Sequence, residues 1–325
     1  MRDHGGDLDR AMARYGGQDW IDLSTGINRQ SWKVPDLPPR AWTALPTAED
    51  VAALEAAAVR AYGATGPVVA LAGAQAAIQL VPRLAPPGRA AVLAPSYNEH
   101  AAALTAQGWA VDAALDLSAM AGADLAVVVN PNNPDGRRWR PERLADLAGR
   151  VGRLVVDESF ADAEPELSLA PRMNAMGERV VIQRSFGKFY GLAGLRLGFA
   201  LAGAETALRL RALAGPWAVG GPAIAIGTAA LADDGWRQAM AVQLHADAAR
   251  LSALLRARAG WPEVGATALF VTVEAGDAAA AQARLAQAGI WTRRFPYSTG
   301  WLRVGLPGNP TEWRRLEAAL SGDGE

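Results

Sequence analysis

The chain has 325 residues, half of them apolar and a fifth charged, enough for about two domains with a sizeable core. Its 32 basic and 33 acidic side chains leave a formal net charge of −1, so no global field draws nucleic acid or an anionic membrane. Cysteine is absent, which excludes disulfides, thiolate nucleophiles and cysteine-held metals and points to a cytoplasmic setting.

The stretch from Met1 lacks the apolar run of a signal peptide. Residues 67–71 read as a strand, followed by Gly73 and a helix near 76–84. A strand at 90–93 leads to a helix near 99–107. Residues 125–129 and 154–156 are short apolar strands with a helix near 141–151 between them, and strands at 180–183 and 197–201 continue the series. Strands apolar on both faces and separated by helices predict a mainly parallel sheet covered on each side. From Ala212 to Ala232 no residue is charged, a length that could cross a bilayer. Pro216, Pro222 and four glycines in that run favour a buried loop leading into a helix that starts near Pro222. After about residue 235 the pattern changes to a long helical stretch at 236–259, a strand at 268–273 and a helix near 278–288. Short strands at 290–292 and 301–304 and a helix near 311–320 complete it. The expected division is a smaller α+β domain of residues 1–40 and 235–325 and a larger domain of residues 41–234.

The segment Arg184-Ser185-Phe186-Gly187-Lys188-Phe189-Tyr190-Gly191 runs on to Arg196 between two predicted strands, at a sheet edge where α/β proteins place ligands. A lysine amine forms a Schiff base with an aldehyde once deprotonated, and burial favours the neutral form. Ser185 and Arg196 could bind a phosphate dianion, the arginine in a bidentate fork. A glycine-rich loop with a solvated lysine fits the same residues. In Val129-Asn130-Pro131-Asn132-Asn133-Pro134-Asp135-Gly136, a buried strand ends in a turn. There Asn133 could donate to a phenolate oxygen, though a plain turn would read alike. Asp157 follows the apolar run 154–156, and a carboxylate at that strand end can keep a pyridine nitrogen protonated; a structural cap is the alternative. His4, His100 and His245 show no ligand spacing, so no metal is expected. Ala74 and Gln75, between strand and helix, could aim amides at an anion. They do not form the dinucleotide fingerprint. Tyr97 could stack on a planar ring or serve as a core aromatic.

Together, in this order and spacing, these motifs resemble fold-type I pyridoxal-phosphate enzymes, the aspartate aminotransferase superfamily, over nearly the whole chain. The resemblance implies an α/β fold of that type, with a mainly parallel central sheet flanked by helices and a smaller α+β domain. It implies pyridoxal 5'-phosphate held as a Schiff base on Lys188. The cofactor phosphate would lie on Ser185, Arg196, Ala74 and Gln75, with the ring oxygen on Asn133, the ring nitrogen on Asp157 and the ring face on Tyr97. Trp301-Leu302-Arg303-Val304-Gly305 resembles the segment whose arginine holds a substrate α-carboxylate, which implies that role for Arg303.

Three stretches resemble the threonine-phosphate-decarboxylating branch, known from cobalamin biosynthesis, more than the histidinol-phosphate aminotransferase branch. They are His4-Gly5-Gly6-Asp7 with Ile21–Asn28, Arg184-Ser185-Phe186 with Lys188-Phe189-Tyr190, and Phe160 where many aminotransferases carry tyrosine. Gly187, in place of a hydroxyl residue, and Ile27-Asn28-Arg29, without the usual proline, depart from the pattern. The implied reaction converts L-threonine O-3-phosphate to (R)-1-amino-2-propanol O-phosphate. Asn28 falls in a segment expected near this small phosphorylated amino-acid substrate, and His4 with Arg293 or Arg294 would meet its phosphate. A homodimer is implied; nucleic-acid and membrane partners are not. An aminotransferase uses the same cofactor kit, and a non-catalytic ligand-binding relative is a reading from another class.

Overall fold

The computed structural model describes residues 4–321; the outer ends of the expected smaller domain, residues 1–3 and 322–325, lie outside the described residues. A short strand β1 (Ile21–Asp22) precedes β2 (Val68–Leu71), β3 (Arg89–Leu93), β4 (Ala110–Ala114), β5 (Leu125–Val129), β6 (Arg153–Asp157), β7 (Val180–Ser185) and β8 (Gly198–Ala202). Then come β9 (Glu263–Thr267), β10 (Phe270–Glu274), β11 (Ile290–Trp291), β12 (Arg293–Phe295) and β13 (Ser298–Gly305). The described chain packs into two compact units. One holds Trp32–Asn133 and Arg137–Ala239; the other holds the residues through Ser31, Pro134–Gly136 and those from Met240 onward.

The first unit is built on a seven-stranded sheet in the order β2-β8-β7-β6-β5-β3-β4. Strands β4, β3, β5, β6 and β7 pair in parallel, whereas β8 runs antiparallel to both β7 and β2. Every residue of β5 and β8 is buried, as expected of strands covered on both faces. Val69, Leu71, Leu80, Val92, Leu104, Val127, Val155, Val181 and Leu210 form one buried cluster, each such side chain contributing roughly 1.5–3 kcal/mol. The helix Ala48–Tyr62 is opened by a capping box between Thr47 and Asp50 and closed at Gly63, which takes φ 59°.

Three local expectations differ from the structure. The helix expected near 76–84 is an α-helix over Ala74–Leu80 that tightens into a 3-10 turn over Val81–Leu84, where Pro82 cannot donate to an α-helical ladder. Strand β4 escaped the sequence reading because it lies at the sheet's edge and is largely exposed. The uncharged run 212–232 does hold a helix, Gly221–Leu231, with proline in its first turn, but the loop before it is not buried: Trp217 is 59% exposed. Among the described residues no helix is long and apolar enough to cross a membrane.

In the second unit β12-β13-β10-β9 form an antiparallel sheet, and β1 pairs in parallel with β11. The helix Ala278–Gln287 is capped by Asp277, whose side chain accepts from the amides of Ala279 and Ala280. Pro134–Gly136 belongs here through packing: Thr272 Oγ1 donates to the Pro134 carbonyl at 2.5 Å, and a Cβ on Gly136 would lie 2.4 Å from the Ala266 carbonyl oxygen.

Candidate active site

The chain of the first unit moves outward from β3 to β4, then returns to pair β5 on the other side of β3. That reversal is a topological switch point, and the carboxyl ends of the parallel strands beside it form the usual ligand edge of such sheets. At this edge β2 ends before Gly73, β3 before Tyr97, β5 before Asn133, β6 at Asp157 and β7 at Ser185. Antiparallel β8 starts there, just after Arg196.

Gly73, Ala74, Gln75, Ser185, Arg196 and Gly198 converge on one small space. Ser185 is the register partner of Gly198, and a Cβ on Gly198 would lie 2.3 Å from the Ala74 amide nitrogen. Gly73 takes φ 80°, and a Cβ there would meet Arg196 Nη2 at 2.8 Å. Arg196 itself sits in the left-handed region at φ 55°, its Nη1 donating to the Ala193 carbonyl at 3.0 Å. The amides of Ala74 and Gln75 open the helix Ala74–Leu80, where helical geometry supplies no acceptor. Ser185 spends no side-chain hydrogen bond on capping the one-turn helix Phe186–Phe189. Space kept clear by two glycines, a guanidinium, a hydroxyl and helix-start amides suits a phosphate dianion.

Lys188 lies in that one-turn helix rather than in an open loop, and it is half-buried. Its Nζ is 5.0 Å from the centre of the Phe160 ring. Asp157 is 2% exposed; its Oδ2 is 2.9 Å from His100 Nε2, and its Oδ1 accepts from the Ser159 amide at 2.9 Å. Burial by itself would raise the Asp157 carboxyl. The His100 hydrogen bond, with smaller help from Lys188 and Ser159, outweighs it and holds the group down at about 2. The result is a buried carboxylate that stays ionised, suited to a protonated ring nitrogen. His100 escaped the sequence reading, which weighed that histidine only as a metal ligand. The available signal was its place three residues after Tyr97 at the start of the helix Asn98–Ala106, where i and i+3 share a face. The Tyr97 and His100 rings meet edge to face, with centroids 6.1 Å apart.

The three asparagines of the 130–133 turn separate by role. Asn130 is fully buried and braces the segment, donating to the carbonyls of Trp139 and Leu167 and accepting from the Trp139 amide. Asn132 donates to the Pro95 carbonyl at 2.9 Å, joining two loops of the same edge. Asn133 is half-buried. Arg184, next to Ser185, is a framework residue: buried, 2.9 Å from Glu158 Oε2, 3.4 Å from Asp162 Oδ1, and 4.2 Å from the centre of the Tyr62 ring. Those carboxylates hold its guanidinium above its ordinary value despite burial, which opposes them.

In the second unit Arg303 is 6% exposed, donates to the Ser24 carbonyl at 2.6 Å and lies 5.0 Å from the Phe270 ring centre. Ser24 also joins the stretches near residues 5 and 24: its Oγ accepts from the Gly6 amide at 2.7 Å. Asn28 is buried and its Oδ1 accepts from the Gln30 amide. Arg293 is the cross-strand partner of Arg303 and shares its face. Arg294 alternates to the other face, where its Nε donates to Gln282 Oε1 at 2.7 Å. His4 is exposed. Among the described residues no cluster of three or more His, Asp or Glu could hold a metal ion.

Comparison with known proteins bears on this arrangement. The family described as aminotransferase class I and II matches residues 18–320. A threonine-phosphate decarboxylase of a Sinorhizobium species is 45% identical over 98% of this chain and 97% of its own length. The threonine-phosphate decarboxylase of Pseudomonas aeruginosa is 44% identical over 99% of this chain and 98% of its own. A crystal structure of histidinol-phosphate aminotransferase from Sinorhizobium meliloti, in complex with pyridoxal-5'-phosphate, aligns with a TM-score of 0.81 at 21% identity. It covers 97% of this chain and 93% of that one.

Proposed function

Because the chain belongs to the class I and II aminotransferase family, we propose that it is a pyridoxal-phosphate-dependent decarboxylase. Its substrate is L-threonine O-3-phosphate, converted to CO2 and (R)-1-amino-2-propanol O-phosphate for cobalamin biosynthesis. The observation that carries the cofactor assignment is the ionised, buried Asp157 braced by His100, at the same sheet edge as Lys188 and the glycine-lined cradle. The decarboxylase reading is supported by 45% identity over almost the full length of a threonine-phosphate decarboxylase.

In this reading Lys188 holds the cofactor through its amine, and Ser185, Arg196 and the amides of Ala74 and Gln75 take its phosphate. Tyr97 covers the ring face, Asn133 meets the ring oxygen, and Asp157 keeps a proton on the ring nitrogen. When bound, pyridoxal phosphate supplies an electron sink for the pair released at the substrate's Cα. Arg303 clamps the substrate carboxylate, and Asn28 is assigned to the same substrate. His4 and Arg293 are assigned to the substrate phosphate, and Arg294, turned toward Gln282, is relieved of that role. By holding the carboxylate, that clamp would choose the Cα bond that breaks: the bond to the carboxylate for loss of CO2, the bond to hydrogen for transamination. The Lys188 amine would return a proton to Cα.

The test is to mix the purified protein with pyridoxal phosphate and threonine phosphate and measure CO2 and the primary amine. Keto acid formed with an added acceptor would make it an aminotransferase, and binding without turnover a non-catalytic relative. A cytoplasmic homodimer completes the proposal, supported by the absence of cysteine and by exposed Trp42 and Trp217, which suit an interface.

A further inference from the structure

Gln183 on β7 is the register partner of Asp157 on β6, so their side chains leave the parallel sheet on the same face. It is fully buried, and neither Nε2 nor Oε1 meets a hydrogen-bonding partner among the described residues. A buried amide left that way is costly, and in folded proteins such groups are as a rule satisfied by protein or by ordered water. Beside it lies a cavity of about 10 Å³ whose walls include Ile78, Leu104, Val127 and Val155, with His100 and Gln183 as its polar side chains. That volume is at the lower edge of what one water needs, and a water stays in such a place only where polar groups receive it.

His100 narrows the chemistry. Its hydrogen bond in the protein runs from Nε2 to Asp157 Oδ2 at 2.9 Å. An ionised carboxylate only accepts, so Nε2 carries the hydrogen, and in the neutral ring Nδ1 is left as an acceptor that needs a donor. We infer that Gln183 is a positioning residue that supplies this donor through a single buried water. Its amide N–H donates to the water, and the water donates to His100 Nδ1. The chain of donors then runs in one direction, from Gln183 through water and His100 to Asp157, and fixes the tautomer and tilt of the imidazole that aims the carboxylate. Such outer partners of a functional histidine set its orientation and basicity.

The bridge can be tested without the cofactor; only its consequence for the ring nitrogen rests on the proposed function. The chain has three histidines, so histidine-selective 15N spectra of the protein as purified can be assigned by substituting each in turn. The expected result is a single Nε2–H tautomer at His100 with a slowly exchanging hydrogen, and density for one water in the cavity in a high-resolution crystal structure. In Gln183→Met, of similar length and suited to the apolar walls, the tautomer preference should weaken. The Nε2 hydrogen should also exchange at least about tenfold faster, the loss of roughly one hydrogen bond. Gln183→Leu serves if the methionine variant does not fold. A dry wild-type cavity, or unchanged His100 resonances in the folded variant, overturns the inference. With cofactor and substrate, kcat should fall about two- to tenfold with KM little changed. If the His100 resonances respond but no amino acid is turned over, the functional reading fails and the bridge stands. If turnover is normal and the resonances do not respond, the bridge alone fails.

Discussion

The two polar clusters of this protein are put together by different rules. In the larger unit the candidate residues sit at strand ends or in the first turn beyond them: Tyr97, Asn133, Asp157 and Lys188 each follow or close a parallel strand, and Gly73 follows β2. In the smaller unit Arg293 and Arg303 come from within neighbouring antiparallel strands, on one face because of their register. Topology alone delivers a residue to the edge of a parallel sheet, and a shift of one position there moves a contact only slightly. On an antiparallel strand the same shift turns the side chain to the opposite face. Arg294 illustrates it, one residue from Arg293 and committed to Gln282.

The largest effect should come from the sheet edge. Lys188→Ala is expected to lower decarboxylation of threonine phosphate by at least about 10³-fold, the middle of the range for removal of an acid-base group. Borohydride reduction of the cofactor-loaded variant should leave no label. If another lysine takes the label with activity intact, the strand-end rule has picked the wrong residue.

Asp157→Asn should cost about 10- to 100-fold in kcat, since a charge-assisted hydrogen bond contributes roughly 1.5–3 kcal/mol. The same carboxylate links stability to pH. Its folded value of about 2 lies below the ordinary 3.8. Its contribution is therefore complete above about pH 4 and lost as pH falls through about 2. Acid unfolding of wild type and Asp157→Asn, followed by circular dichroism, should converge across that window. Curves that stay parallel would show that the His100 pair does not hold the charge.

The arginines test the register rule directly. Arg303→Ala should raise KM about 10- to 100-fold, a loss of one bidentate clamp, while Arg294→Ala should change KM less than about threefold. Steady-state kinetics on both variants would sink the face assignment if the order were reversed. Gly198→Ala tests the cradle through stability rather than through kinetics. Its Cβ would crowd the Ala74 amide at 2.3 Å, costing about 1–3 kcal/mol of stability and loosening cofactor binding, measured by thermal unfolding and by titration with pyridoxal phosphate.

Much of the larger unit was legible because strands buried on both faces are written as apolar runs. Residues 125–129 match β5 residue for residue. Edge strand β4 was not legible, since exposure removes the need for such a run. Among the candidate site residues, Lys188, Asp157 and Asn133 announced themselves by following predicted strands. His100 did not, because its partner lies 57 residues away and its one local signal, the spacing from Tyr97, does not name that partner. Arg184 looked like part of the phosphate-binding loop, yet the fold spends it on Glu158 and Asp162.

The sequence by itself determined the family, the alternation of strands and helices, and the order in which chemical groups reach the sheet edge. These depend on local patterns of burial and on turns that particular side chains permit. Tertiary structure decided what depends on distant segments meeting. It packed Pro134–Gly136 with the smaller unit, ran β8 against its neighbours, and gave Arg293 and Arg294 opposite faces. It also placed His100 and Gln183 around Asp157. Each of these is settled by packing between segments tens of residues apart, and no local pattern of side chains encodes it.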